Sequence, residues 1–450
     1  MFKKILIANR GEIALRVISA CHQLGIATVA VFSEADRLAL HVRLADEAYC
    51  IGPPEAQASY LNLPAIMSAA EISGAEAIHP GYGFLAEDPH FVEVCEESGI
   101  CFIGPPHEVM SRAGDKLAAK LALKAEGIPV VPGAQAISTE EQLGAAAKEL
   151  GYPLIIKATA GGGGRGMRLI NGADELLDNF HAARREAEVA FGTPAVYLEK
   201  YLDKAKHIEV QILADRFGHC VHWGERECSI QRRYQKLIEE SPAPGLSGEL
   251  RRALWEAARQ AAQALGYQNA GTVEFLVSGE DFYLIEINAR IQVEHPVSEM
   301  RVGKDLIVEQ IRLASGERLG YAQSRLRLRG HALECRINAE DPTQGFLPSM
   351  GRVQLVSWPG GPGVRIDTAL YQGAEITPYY DSLLAKLITW GGTRETTRQR
   401  MLDALARFEL AGVQTTRELC REILEHPAFI KGEATTRFLS DQLRAVQEGK

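Results

Sequence analysis

The 450 residues predict a mixed α/β and α+β fold, with a doubly wound α/β domain first and an antiparallel-sheet domain last. Three observations lead there. Residues 5–8 form an apolar strand, a turn at 9–12 follows, Ile13, Leu15, Val17 and Ile18 lie in a helix, and Ala27 to Phe32 is a second strand with Asp36 just past it. Strand, helix and strand with short connections is a doubly wound start. From Ile285 to Glu294 apolar and polar side chains alternate at period two, as in a strand. Past Arg325 the stretches 331–338, 351–356, 363–367 and 383–390 read as a mostly antiparallel sheet. A chain this long exceeds one core, and the expected domains are 1–114, 115–329 and 330–446.

The chemistry centres on residues 286–296 (Glu-Ile-Asn-Ala-Arg-Ile-Gln-Val-Glu-His-Pro). Read as one extended strand, they place Glu286, Asn288, Arg290, Gln292 and Glu294 on one face and Ile285, Ile287, Ala289, Ile291 and Val293 on the other. A surface strand carries Thr, Lys and Ser more often than this succession of carboxylate, amide and guanidinium. Upstream, residues 271–276 form a second strand and Ser278 to Asp281 its turn, so the hairpin sets Glu274 beside Glu286. Adjacent carboxylates repel unless a cation or a shared proton holds them. With an amide alongside and neither His nor Cys in the set, oxygen-only ligands suit Mg²⁺ or Mn²⁺ rather than Zn²⁺.

Composition narrows the class. A 46% hydrophobic, 24% charged chain is an ordinary globular protein, and a net charge of −9 argues against a nucleic-acid or anionic-membrane surface. No apolar run approaches a membrane span. The start is too short in apolar residues for a signal peptide, and the eight Cys include no CxxC pair. A cytoplasmic protein with reduced, buried thiols is expected.

Along the chain, residues 79–85 (His-Pro-Gly-Tyr-Gly-Phe-Leu) fall where loops leave the carboxyl ends of strands. No GxGxxG follows the first strand, so a dinucleotide is disfavoured. A helix near Asp115 carries Lys116. After a strand ending at Lys157, Ala160 precedes four glycines, 161–164, and then Arg165. Such a loop lets backbone N–H groups close over phosphate oxygens, because no Cβ holds the backbone off the anion. It does not fit GxxxxGK[ST]. Residues 197–202 form a strand of the kind that can pin an adenine edge. His207, Glu209 and Gln211 share one face of the next strand. The charge-dense run 225–240 reads as a solvated face unless the fold returns Lys236 to the hairpin. Thr393 caps a helix with Met401, Leu402, Leu405 and Phe408 on one stripe.

Phosphate-binding glycines, lysines, a carboxylate pair with Asn, and an Arg together call for a nucleoside triphosphate and Mg²⁺. At this point the chain resembles the ATP-grasp biotin-dependent carboxylases, specifically the biotin carboxylase subunits of bacterial acetyl-CoA carboxylase. The motifs are 7–14 (Ile-Ala-Asn-Arg-Gly-Glu-Ile-Ala), 79–85, 161–167, 226–233 (Arg-Glu-Cys-Ser-Ile-Gln-Arg-Arg), 286–295, 334–340 (Glu-Cys-Arg-Ile-Asn-Ala-Glu) and 379–382 (Tyr-Tyr-Asp-Ser). The resemblance implies an ATP-grasp fold with a mobile lid at about 131–202. It implies that ATP and bicarbonate give carboxyphosphate, whose carboxyl group passes to N1′ of biotin on a carrier protein. It places metal on Glu274, Glu286 and Asn288. The nucleotide falls to Lys116, Lys157, Gly163, Gly164, His207, Gln231 and Tyr234, with adenine on Glu199, Lys200, Tyr201 and Leu202. Bicarbonate meets Lys236, Arg290, Gln292 and the Val293 backbone, Glu294 is the base, and Arg336 steadies the biotin enolate with Tyr82 on the substrate side.

The chain departs from the family pattern at Ala160, where a fifth glycine is usual, at Ala289, where Thr is usual, and at Tyr234, where His or Asn stands near the ribose. No Met-Lys-Met biotinylation site occurs. The expected partners are therefore a biotin carboxyl carrier protein, carboxyltransferase subunits and a second copy in a homodimer. The alternatives are the same half-reaction in a propionyl-CoA, pyruvate or urea-type carboxylase, a biotin-independent ATP-grasp ligase, and a silent nucleotide-binding subunit.

Overall fold

The computed structural model describes residues 1–159 and 167–447. Its first sheet is parallel, in the order β3-β2-β1-β4-β5, from β1 (Lys4–Ile7), β2 (Ala27–Ser33), β3 (Glu47–Gly52), β4 (Ala77–His79) and β5 (Cys101–Phe102). β1 pairs with both β2 and β4, so the strand order reverses beside it, where loops open a crevice. Asn9 spans that crevice: its Nδ2 donates to the carbonyls of Pro80 and Tyr82, each at 2.7 Å. Gly81 has φ +63°, and a Cβ there would lie 2.9 Å from Asn9 Nδ2. Glycine is thus required for the 79–85 loop to reach its clamp.

Residues 133–200 build a second unit, a four-stranded sheet ordered β6-β9-β7-β8 from β6 (Gly133–Ile137), β7 (Leu154–Ala158), β8 (Arg168–Ile170) and β9 (Val196–Lys200). It closes its own core with Leu143, Leu154, Ile156, Ile170, Phe180 and Leu198. The helix Glu140–Leu150 opens on a capping box between Thr139 and Gln142. Arg165 and the four glycines lie outside the described residues.

The third sheet has eight antiparallel strands. β10 (Lys206–Ala214), β11 (Cys220–Arg232), β12 (Gln235–Ser241), β13 (Asn269–Ser278) and β14 (Asp281–Asn288) run in the order β14-β13-β10-β11-β12. β15 (His331–Asn338), Leu383–Gly391 and Val364–Thr368 then continue the same sheet beyond β12. These three strands therefore extend the large sheet and cover the β12 edge, which would otherwise expose unpaired backbone groups. One face is apolar: Ile208, Val210, Ile212, Val273 and Phe275 pack with Leu250 and Leu254 of the Ser247-capped helix Gly248–Ala264. Period-two alternation leaves the opposite face to His207, Glu209, Gln211, Thr272 and Glu274.

Four expectations need correction. The strand assigned to 286–296 ends at Asn288. Ala289 N–H donates to Glu87 Oε1 at 3.0 Å instead of to a neighbouring strand, and Glu294 immediately precedes the helix His295–Val302 without a side-chain cap bond, with Pro296 in the first turn. The charge run 225–240 is not a solvated face, because Glu225, Arg226, Glu227, Glu239 and Glu240 are all buried in β11 and β12. Residues 351–356 split into Gly351–Arg352 and Leu355–Ser357, which pair with different partners. Cys50 is exposed, while Cys21, Cys95, Cys220, Cys228, Cys335 and Cys420 are buried and all eight thiols are free. Among the described residues no helix is long and apolar enough to cross a membrane.

The segments flanking the unit 133–200 are tied down, Val130 bridging to Leu284 and Asp203 pairing with Arg437 at 2.8 Å, and Glu199 of the unit itself pairs with Lys120. Its core is separate from those of the other sheets. Limited proteolysis is expected to cut these flanking segments in the protein alone and to slow with a non-hydrolysable ATP analogue. Equal cleavage in both conditions would count against a closing lid.

Candidate active site

The polar face of the large sheet is built by register. Glu209 pairs with Glu274, and Glu274 with Glu286, so three carboxylates line up across β10, β13 and β14. Arg226 of β11 lies beside Glu209 and extends the row. Such a row is unstable without cations, and each carboxylate has one. Arg226 bonds Glu209 through Nε and reaches Gln211, Thr272 and Ser298 with its other nitrogens. Lys116, at the start of the helix Lys116–Ala125, pairs with Glu286 Oε2. Lys236 Nζ stands at the centre, 2.6 Å from Glu209, 3.0 Å from Glu274 and 2.7 Å from Glu294. A register shift between β11 and β12 brings Lys236 round to this face.

The expected metal residues are together. Glu274 Oε1 accepts from Asn288 Nδ2 at 2.9 Å and from Gln292 Nε2 at 3.2 Å, and Oε2 meets His207 Nε2 at 2.8 Å. Burial raises the Glu274 carboxyl, but Lys236 and His207 outweigh it and hold it well below the usual range. Burial likewise raises Glu286, and Lys116 brings it below its ordinary value. Two ionised carboxylates and an amide oxygen form a hard-oxygen set that fits Mg²⁺. His207, Glu209 and Glu274 also lie within 4.8 Å of one another, but Glu209 is already saturated by Arg226 and Lys236.

The residues expected to meet bicarbonate form the next layer. Glu294 is fully buried; Oε1 faces Lys236, and Oε2 accepts from Arg336 Nη2 at 2.8 Å. Burial raises its carboxyl, yet Lys236, Arg336 and Arg226 leave it well below the normal range. Arg290 Nη1 donates to Gln292 Oε1 at 2.8 Å, while Nε is held by Glu87 at 2.9 Å. The Val293 carbonyl is taken by Lys386 Nζ at 3.1 Å. Tyr82 donates to Glu12, which pairs with the same Lys386 at 3.0 Å.

On the nucleotide side, Lys157 is 2.6 Å from the buried Glu199, whose other oxygen holds Lys120. Lys200 Nζ turns away to the carbonyls of Gly151 and Tyr152. The N–H groups of Lys200 and Tyr201 are taken by Pro132 and Pro153, whereas Leu202 N–H has no backbone partner among the described residues. Gln231 Nε2 lies 3.5 Å from His207 Nδ1. Tyr234 sits at the β11–β12 hairpin tip, 49% exposed, with φ +66° beside Arg233 at φ +47°. Gly163 and Gly164 lie outside the described residues.

Five participants were not singled out as site residues from sequence. Glu209 shares the His207 face and could have been read from that alternation. Lys120 lies one helical turn from Lys116. Arg226 and Glu239 were hidden in the charge run, and Glu87 has no local signal, since its partner Arg290 is 203 positions away.

Family comparisons agree with this geometry. Residues 1–110 match the biotin carboxylase N-terminal domain, 115–322 the carbamoyl-phosphate synthase L chain ATP binding domain, and 334–441 the biotin carboxylase C-terminal domain. The chain belongs to the biotin carboxylase family. It is an ATP-dependent ligase that carboxylates biotin. Biotin carboxylase 1 of Bacillus subtilis is 52% identical over 442 residues, covering 98% of each chain. A pyruvate carboxylase subunit from Methanothermobacter thermautotrophicus is 51% identical, over 99% of this chain and 91% of that one. The biotin carboxylase domain dimer of Hydrogenobacter thermophilus 2-oxoglutarate carboxylase, solved with MgADP, ADP and bicarbonate, superposes with TM-score 0.96 at 50% identity, over 99% and 98% of the two chains.

A left-handed Tyr is strained, and Asn tolerates that conformation better. Tyr234→Asn is expected to stabilise the fold by up to about 1 kcal/mol, read as a higher Tm. Tyr234→Phe is expected to weaken ATP binding by no more than about tenfold, the worth of one neutral hydrogen bond. A lower Tm in the first variant, or a larger loss of affinity in the second, would contradict the hairpin-tip placement.

Proposed function

We propose that the chain carries out the first half-reaction of acetyl-CoA carboxylase, in the malonyl-CoA supply for fatty-acid synthesis. In this reading it carboxylates biotin on a separate carrier protein, next to carboxyltransferase subunits and as a homodimer. The observation that carries the chemical part is Lys236, whose ammonium joins Glu294 to the metal-side carboxylates while Arg336 holds the other Glu294 oxygen. That arrangement puts a base, two cations and a phosphate-side acid cluster within one hydrogen-bonded set. The acetyl-CoA assignment is supported by relatives that are themselves biotin carboxylases, such as that of Bacillus subtilis. Pyruvate and 2-oxoglutarate carboxylase subunits of similar identity favour the second reading, another biotin-dependent assembly.

In this mechanism Lys116, Lys157 and His207 position the triphosphate, and the Leu202 N–H is the backbone donor left for adenine. Gly163 and Gly164 are assigned to cover the phosphates. Gln231 and Tyr234 flank the ribose, and Glu199, Lys200 and Tyr201 line the adenine side. Glu274, Glu286 and Asn288 would hold Mg²⁺, which when bound draws negative charge off the triphosphate. Bicarbonate fits between Lys236 and Arg290, whose guanidinium offers a planar fork to a planar anion, with Gln292 and the Val293 N–H completing the cradle. Glu294 accepts the bicarbonate proton. Its depressed pKa does not prevent this, because the cations that lower it also stabilise the carbonate dianion left when bicarbonate loses its proton. Arg336 then meets the ureido oxygen of biotin as negative charge develops there, with Tyr82 behind it.

Bicarbonate-dependent ATP hydrolysis, measured with and without free biotin, tests the reaction, and malonyl-CoA formation on mixing with carrier and carboxyltransferase tests the assembly. Glu286→Gln is expected to lose most ATP hydrolysis while staying folded; normal turnover at saturating Mg²⁺ would remove it from the metal set. Glu294→Gln is expected to lower both ATP hydrolysis and biotin carboxylation by about 10²-fold or more. Arg336→Ala is expected to harm biotin carboxylation far more than ATP hydrolysis. Equal losses of both activities in both variants would sink this division.

A further inference from the structure

Beyond the residues assigned above, one buried cluster contains polar atoms with nothing to meet. Glu239 of β12 and Glu334 of β15 stand directly opposite each other in the sheet, a placement that brings Cβ atoms to about 4.5–5.5 Å. Both side chains are fully buried. Glu239 Oε1 accepts from Arg336 Nε at 2.6 Å. Glu239 Oε2 and both Glu334 oxygens are buried with no hydrogen-bond partner among the described residues. Lys386 lies close enough to be felt by Glu334, but its ammonium is held by Glu12, Asp367 and the Val293 carbonyl. Two bare carboxylates facing each other away from water repel strongly, and a single proton between them replaces that repulsion with a charge-assisted hydrogen bond.

We propose that Glu239 and Glu334 share one proton, and that this carboxyl pair fixes Arg336 for biotin. Glu334 carries the proton and donates it toward Glu239 Oε2. Glu239 keeps its charge and grips the Nε edge of the guanidinium. Nη2 lies against both Glu239 and Glu294, and the guanidinium edge away from these two carboxylates is then the one that turns to the biotin ureido oxygen. Both acids are positioning residues, and the proposal rests on the reading above that Arg336 meets biotin.

The electrostatics agree with the geometry. Burial, with Glu239 adding to it, pushes Glu334 well above the carboxylate range. Burial also raises Glu239, against the pull of Arg336, to about 7. The charged and titratable groups facing the pair are Lys236, Arg336, Glu294 and Lys386, with the thiols Cys228 and Cys335. The sign follows. Above about pH 7 the pair holds one proton and Glu239 is anionic; below it a second proton neutralises Glu239 and loosens Arg336. Biotin carboxylation therefore falls on the acid side more steeply than biotin-independent ATP hydrolysis.

The test compares the full chain with Glu239→Gln, Glu334→Gln and Arg336→Ala. Biotin carboxylation and biotin-independent, bicarbonate-dependent ATP hydrolysis are followed between about pH 6 and 9, alongside Tm. Glu334→Gln, whose amide N–H replaces the acid O–H, is expected to keep its rate at about pH 8, its Tm and nearly its acid limb, because the neutral amide stands in for the protonated acid. Glu239→Gln is expected to raise KM for biotin by about tenfold to a hundredfold, to lose the acid limb, and to change ATP hydrolysis far less. A Glu334→Gln variant that melts much lower, or loses as much biotin activity as Glu239→Gln, would show an ionised structural residue and overturn the pair. If Glu239→Gln does not fold, Glu334→Leu decides: without a donor facing Glu239 its acid limb moves to higher pH than that of Glu334→Gln if the pair exists, and identical limbs in the two variants overturn it. Arg336→Ala separates the two levels. Intact biotin carboxylation in that variant removes the underlying reading, whereas a defect there with normal Glu239→Gln removes only the carboxyl pair.

Discussion

The ammonium of Lys236 is the contact on which the site depends. It touches Glu209, Glu274 and Glu294, all nine-tenths buried or more, and these carboxylates in return raise it well above a normal lysine against the opposing effect of burial. Removing one member of a buried ion cluster leaves an uncompensated charge and costs about 3–5 kcal/mol, so the cluster holds its members in place collectively. Such a cluster is weak evidence for stability, because well-packed apolar residues would serve a fold at least as well. Its retention on one face of a sheet whose other face is apolar along β10 and β13 is what marks that face as chemical.

Sheet continuity places the second reactive centre beside the first. Arg336 lies on β15, beyond the Gly248–Ala264 helix and β14 in sequence, yet β15 pairs with β12 and so stands next to the strand that carries Lys236. The two arms of Arg336 then bridge Glu239 on β12 and Glu294 ahead of the helix His295–Val302. Glu274 and Glu286, then Lys236, then Arg336 thus occupy successive positions across one sheet face. Rigid placement is what a transfer between two bound substrates requires, since misplacement by about 1 Å can cost orders of magnitude in rate. The N-terminal domain adds Glu87 and Tyr82 from loops at the carboxyl ends of its strands, against Arg290 and Glu12.

What the sequence determined by itself is local and periodic. Alternation placed Glu274 opposite Glu286, because hairpin register follows from the turn and the apolar set. The strand–helix–strand start, the Thr393 cap and the β15 span were legible for the same reason: each depends on neighbours within a turn or two. Motif order over the whole length gave the family. Tertiary structure alone decided where charge goes when it is buried. Glu225 to Glu240 looks solvated because a charge run normally is, and only pairing of β11 and β12 inside an eight-stranded sheet makes its members cores of ion clusters. The end of β14 at Asn288 was likewise invisible, since it is set by a carboxylate from Glu87 in another domain that takes the Ala289 N–H. Periodicity reports the face a side chain occupies, but a partner two hundred residues away decides whether the strand continues and which charge it meets.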